Sequence, residues 1–269
     1  MNICQITCCQ FLSALLIGVA AANALADDVI DAPTSESAAK DTRCYELRVY
    51  HAGEGKLDAL NTRFRDHTCK LFEKHGITNI GYWMPLDKSE QKLYYIVAYP
   101  SRAAREASWK AFFADPEWKA VFAESEKNGK LVRQVDSTFM HATDFSPAIM
   151  PGKASEPRLF ELRTYTTTPG NLPNLFARFR DHTMAIFAKH GMTNFAYWAL
   201  DADQKGAGDT LVYMLAHPSK EARDASFEAF RKDPDWVAAK AASEKNGSLT
   251  VPDGVKSVLL KPADYSPTK

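Results

Sequence analysis

A net charge of either sign is the first thing the chain lacks. Its 269 residues carry 33 acidic and 33 basic side chains, so no overall field recruits nucleic acid or an anionic membrane surface. Cysteine is scarce: Cys4, Cys8 and Cys9 lie in the first ten residues, and only Cys44 and Cys69 follow. Two are too few for a disulfide framework. HExxH, CxxC, a Gly-rich phosphate loop and a nucleophile elbow are all absent, which removes the usual zinc, redox, nucleotide and serine-hydrolase readings. No resident cofactor and no dedicated metal site are expected. The apolar run from Phe11 to Ala22 is too short to span a bilayer comfortably. It ends in Ala24-Leu25-Ala26 ahead of Asp27-Asp28, the pattern of a signal peptide (1–26) cleaved after Ala26, which implies export to a periplasm or the exterior. No Lys or Arg precedes Phe11, so an uncleaved anchor is the alternative.

What the chain does have is itself, twice. RFRDHTCKLFEKHGITN at 63–79 returns as RFRDHTMAIFAKHGMTN at 178–194, 115 positions later. Tyr45-Glu46-Leu47-Arg48 answers to Phe160-Glu161-Leu162-Arg163, and Tyr82-Trp83 to Tyr197-Trp198. Further on, Asp115-Pro116-Glu117-Trp118 answers to Asp233-Pro234-Asp235-Trp236, and Asp144-Phe145-Ser146-Pro147 to Asp264-Tyr265-Ser266-Pro267. One folding unit has been written twice. A polar leader (27–42), a first unit (43–145), a linker rich in Pro, Ser and Gly (146–157) and a second unit (158–265) account for the rest. Leu159 and Met184 stand where the first unit has Cys44 and Cys69, so there is no duplicated disulfide.

Within the first unit, side chains alternate from Cys44 to Tyr50. Tyr45, Leu47 and Val49 form an apolar face and Glu46, Arg48 and Tyr50 a polar one, the period of a strand. From about Lys56 to His75 the period becomes helical, with Leu57, Leu60, Phe64, Leu71 and Phe72 on one stripe and Gly76 as the stop. His67 and His75 fall within or beside that stripe. Strands at 78–84 and 93–99 follow. A helix then opens on Ser101 as N-cap, a second on Asp115 with Pro116 at its first position, and a last strand runs near 135–141. The order β-α-β-β-α-α-β is the ferredoxin-like plait with one extra helix. The fold class is therefore α+β: two ferredoxin-like units whose sheets cover one another.

The Tyr-Glu-Leu-Arg strand, the helix ending in Lys-His-Gly, the Tyr-Trp pair and the Ala-Asp-Pro-Glu-Trp turn together resemble the NIPSNAP family over both units. The resemblance implies a dimeric α/β barrel, here pseudo-dimeric within one chain. Its superfamily holds small monooxygenases, haem-dependent enzymes and proteins with no known reaction, and supplies no agreed catalytic set.

Three groups of residues are candidates. Glu46, Arg48, Glu161 and Arg163 are expected between the two sheets, either orienting an anion or forming ion pairs of a polar interface. His67 and His182, with His75 and His190, are proton shuttles or satisfied core histidines. The two in each helix are two turns apart, so they cannot share a metal ion. Tyr82 and Trp83, like Tyr197 and Trp198, put one ring of each pair between the sheets, for stacking or for packing. Trp118 and Trp236 read as structural, and His141 and His217 have no counterpart in the other unit. Two functions follow. One is a binding module for a small anionic or aromatic ligand, or for a protein partner on the outer helices, with homo-oligomers compatible. The other is a monooxygenase-like or haem-dependent enzyme with its site between the sheets.

Overall fold

The computed structural model describes residues 41–152 and 156–269; the expected signal peptide and most of the leader fall outside the described residues. Each unit contributes four strands. The first supplies β1 (Cys44–Ala52), β2 (Thr78–Pro85), β3 (Lys92–Tyr99) and β4 (Val132–Ala142); the second supplies β5 (Leu159–Thr167), β6 (Thr193–Leu200), β7 (Thr210–His217) and β8 (Thr250–Pro262). They close into one barrel in the order β1-β3-β2-β8-β5-β7-β6-β4. Every pairing is antiparallel, and the units meet at two seams, β2 with β8 and β4 with β6. This is the dimeric α/β barrel with both halves in one chain. Closure leaves no open sheet edge.

Helices cover the outside. In the first unit these are α1 (Leu57–Arg63), a π-helical turn (Phe64–Thr68), α2 (Cys69–Lys74), α3 (Arg102–Ala114) and α4 (Pro116–Ser125). The second unit repeats them as α5 (Leu172–Arg178), a π turn (Phe179–Thr183), α6 (Met184–Lys189), α7 (Lys220–Lys232) and α8 (Pro234–Ser243). The expected punctuation is in place. Ser101 Oγ accepts from Ala104 N, Asp115 Oδ1 accepts from Glu117 N, and Gly76 takes φ 74° after α2.

The π turns overturn one expectation. The Cys69 N–H reaches back five residues to the Phe64 carbonyl, so one extra residue enters the helix. Leu60, Phe64, Thr68 and Leu71 are buried, and Thr68 occupies the inward place that a regular α-helix would give His67. His67 and its repeat His182 are turned outward and exposed. A uniform 100° per residue misplaces them because the helix is not uniform.

The second correction concerns the faces of the sheet. Tyr45, Leu47 and Val49 point to the barrel axis, packing with Trp83, Phe160, Trp198 and Met214. Glu46, Arg48 and Tyr50 point the other way, beneath the helices. Both faces of this sheet are covered, so alternation separates two faces without saying which is inside. The axis is filled with side chains, and the buried indole N–H groups of Trp83 and Trp198 have no hydrogen-bond partner there. Cys44 and Cys69 are both free.

Candidate functional site

Between the outer face of each half-barrel and its helices lies a cleft. In the first unit Phe64, Phe72, Trp109, Phe112 and Trp118 wall it above Tyr50, and its volume is about 450 Å³. In the second, Phe179, Phe187, Phe227, Phe230 and Trp236 stand above Tyr165, around about 670 Å³. Both volumes fall in the range of small-molecule sites. The walls come from four separate elements, which is why no contiguous motif marks them.

Beneath each cleft is a buried ionic network. Glu46 is fully buried, and four side chains donate five hydrogen bonds to it. Arg48 Nη1 donates to its Oε1, while Arg105, from α3, donates through Nε and Nη2 at 3.1 Å each. Tyr99 and Ser137 donate their hydroxyls at 2.8 and 2.6 Å. Arg48 is held in turn by the Tyr95 hydroxyl at 2.8 Å. Burial alone would raise the Glu46 pKa; the hydrogen bond from Arg105 and the charge of Arg48 outweigh it and hold the carboxyl at about 2. The repeat is close. Arg163 Nη1 donates to Glu161, Arg223 donates to it through Nε and Nη2 at 2.8 and 2.7 Å, and Arg163 Nε donates to Tyr213 at 2.8 Å. Its pKa is lowered against burial, first by Arg223. Arg105 and Arg223 pair further with Glu106 and Asp224 at 3.0 Å, so the two guanidiniums of each network face two carboxylates, one buried and one exposed.

The expected site residues therefore divide. Glu46, Arg48, Glu161 and Arg163 are brought together as pairs, but beneath the helices rather than between the sheets. Trp83 and Trp198 are the rings that face the axis; Tyr82 and Tyr197 lie on the helix side, stacked on Tyr95 and Tyr213 at 5.4 and 5.2 Å. His75 Nε2 and His190 Nε2 each sit 2.7 Å from the N-cap carboxylates Asp115 and Asp233, tying α2 to α4 and α6 to α8. His141 is exposed beside Asp201 at 3.0 Å. His217 is buried in the place of Tyr99, 3.5 Å from Glu161. Trp118 and Trp236 pack at a tilt against Phe112 and Phe230, with ring centres 4.4 and 4.5 Å apart. Arg105 and Arg223 escaped the reading from sequence, although the repeated Ala-Arg-acid-Ala-Ser around each was a signal.

The NIPSNAP family model matches residues 45–147 and again 160–267. The chain belongs to the NIPSNAP family. A NipSnap homolog of Dictyostelium discoideum is 23% identical over 216 residues, covering 79% of this chain and 86% of that one. A monooxygenase-like protein of Lactobacillus acidophilus shares the fold with a TM-score of 0.53 at 11% identity, over 82% of this chain and 94% of its own. An anthrone oxidase-like protein does so with a TM-score of 0.50 at 14% identity, over 83% and 92%.

Haem, which the fold's wider superfamily brings into question, does not fit these NIPSNAP clefts. An axial ligand is needed, and neither wall contains a His, Cys or Met. Tyr50 and Tyr165 face Arg48 and Arg163 and pack edge-on against Tyr95 and Tyr213. Among the described residues no cluster of His, Cys, Asp and Glu could hold a metal ion.

Proposed function

We propose that this NIPSNAP protein binds a small, planar, partly aromatic molecule in the clefts between its barrel and its outer helices. One observation carries the reading: two homologous clefts, each walled by five or more aromatic rings and floored by an arginine–glutamate–arginine network. Ring walls stack on planar ligands. The guanidiniums in the floor favour a ligand that is electron-rich or anionic. The signal-peptide pattern at 1–26 supports a place outside the cytoplasm.

A second reading, an oxygenase acting on the same ligand, draws its support from the likeness to the monooxygenase-like protein. Native mass spectrometry of the chain purified gently from its natural host tests both. A retained small molecule, released by denaturation, is the expected result. If under air it gains one oxygen atom and loses two hydrogens, the second oxygen leaving as water, and under argon it is unchanged, the oxygenase reading holds. If every preparation is free of ligand and a panel of aromatic probes does not bind, the clefts are not the working surface. The outer helices and protein partners then take their place.

A further inference from the structure

The two clefts are copies that have diverged, and the divergence is at the floor. Rim charge does not separate them: Lys130 and Arg133 line the first, Arg231 and Lys240 the second. The buried arginines do: the one in the first wall, Arg63, is tied to Glu126 and Ser125 at 2.8 and 3.1 Å. Arg163 forms part of the wall of the second cleft, whereas Arg48 forms no part of the first. Both keep the same small exposure, 11% of the side chain, so the difference is in what stands before them. In the first cleft the wall is the indole of Trp109, with the Arg48 guanidinium stacked 4.6 Å from its centre. That indole is fixed from behind, because its Nε1–H donates to Tyr99 at 2.7 Å and Tyr99 donates to Glu46. In the second, Phe227 replaces Trp109 and His217 replaces Tyr99. A smaller ring with no donor lies 5.0 Å from Arg163, and the cleft is larger. Trp is also the better cation–π partner, and the second cleft has no indole at this place.

Resting on the reading above, we infer that the second cleft is a site for an aromatic anion, a carboxylate or sulfonate held by Arg163 with its ring among Phe227, Phe230 and Trp236. The first cleft, where the indole of Trp109 stands in the wall in place of the arginine, takes neutral aromatic molecules only. Three of the five N–H donors of Arg163 are committed, to Tyr213, Glu161 and Tyr165, which leaves two for the anion.

Two fluorescent probes that differ only in a sulfonate, anilinonaphthalene sulfonate and N-phenylnaphthylamine, separate the clefts when titrated into the full chain. The sulfonate binds one equivalent and the neutral probe two. Trp109→Phe raises the sulfonate stoichiometry from one to two. Phe227→Trp abolishes sulfonate binding and leaves the neutral probe at two equivalents. Arg163→Lys, checked for folding by its melting curve, weakens the sulfonate by roughly tenfold through loss of a charge-assisted hydrogen bond. Equal sulfonate binding at two sites in the unaltered chain, or a Phe227→Trp variant that binds it unchanged, overturns the asymmetry and leaves the ligand-binding reading standing. If neither probe binds the unaltered chain, the ligand-binding reading itself falls, and the asymmetry with it.

Discussion

Glu46 shows how a buried charge is kept. Removing a carboxylate from water costs several kcal/mol, and two guanidiniums and two hydroxyls on one side chain offset that cost. Glu46→Gln keeps the shape and strands two arginines, so a loss of about 3–5 kcal/mol in urea unfolding is expected. The pH dependence has a definite sign. The folded carboxyl is held at about 2, below its ordinary 4.5, so its stabilising effect is complete above 4.5. It is lost as the pH falls from there towards 2. Glu161 shifts in the same direction. Acid titration of stability should therefore show a steep fall in that window, and Glu46→Gln should flatten part of it. An equally steep fall in the variant would mean that Glu46 is not a source of it.

At the scale of the element, the π turn sets which helix residues meet the sheet. It accommodates one more residue than an α-helical turn, and His67 is the residue turned outward. Deleting His67 should convert the segment to regular α-helix and leave Leu71 and Phe72 in their buried places. The expected cost is under about 1 kcal/mol, or a few degrees of melting temperature. Deleting Thr62 from the preceding regular turn should instead rotate the following residues by about 100° and lower the melting temperature far more. If both deletions cost the same, the π turn does not set the phase. Helical periodicity in the sequence could not reveal this, because Thr68 and His67 are adjacent and either satisfies an apolar stripe within the tolerance of the pattern.

For the whole molecule, the repeated Asp-aromatic-Ser-Pro segments act as clasps between the halves. Ser266, at the end of the second unit, accepts the Tyr82 N–H of the first through its Oγ at 3.0 Å; Ser146 does the same for Tyr197. Tyr265 donates to Asn61 at 2.7 Å, and Arg65 and Arg180 pair with Asp264 and Asp144 across the same seams. The exposed ion pairs contribute little, whereas an orphaned buried N–H costs about 1–3 kcal/mol. Ser146→Ala and Ser266→Ala should each cost that much and add in the double variant, since they lie at opposite seams. Because the barrel closes only when both seams form, thermal unfolding followed by near- and far-ultraviolet circular dichroism should give one coincident transition. Two separated transitions would show that the halves unfold independently.

The sequence by itself determined the doubling, the order of strands and helices in each unit, the caps at Ser101 and Asp115 and the stop at Gly76. Each is local: an alternation, a periodicity or a residue whose backbone chemistry suits one position. From the doubling and the resemblance together came the closed barrel. The sequence also brought Glu46, Arg48, Glu161 and Arg163 to notice as polar residues on otherwise apolar strands. Only the tertiary structure decided that they lie under the helices and not along the axis, because two covered faces look alike in a pattern of alternation. It alone supplied Arg105 and Arg223, which reach the carboxylates from helices 59 and 62 residues further along the chain. The difference between the two clefts was likewise invisible, since Trp109 and Phe227 read equally well as core. How each of them meets its arginine depends on where two helices rest on a sheet, and no local rule carries that distance.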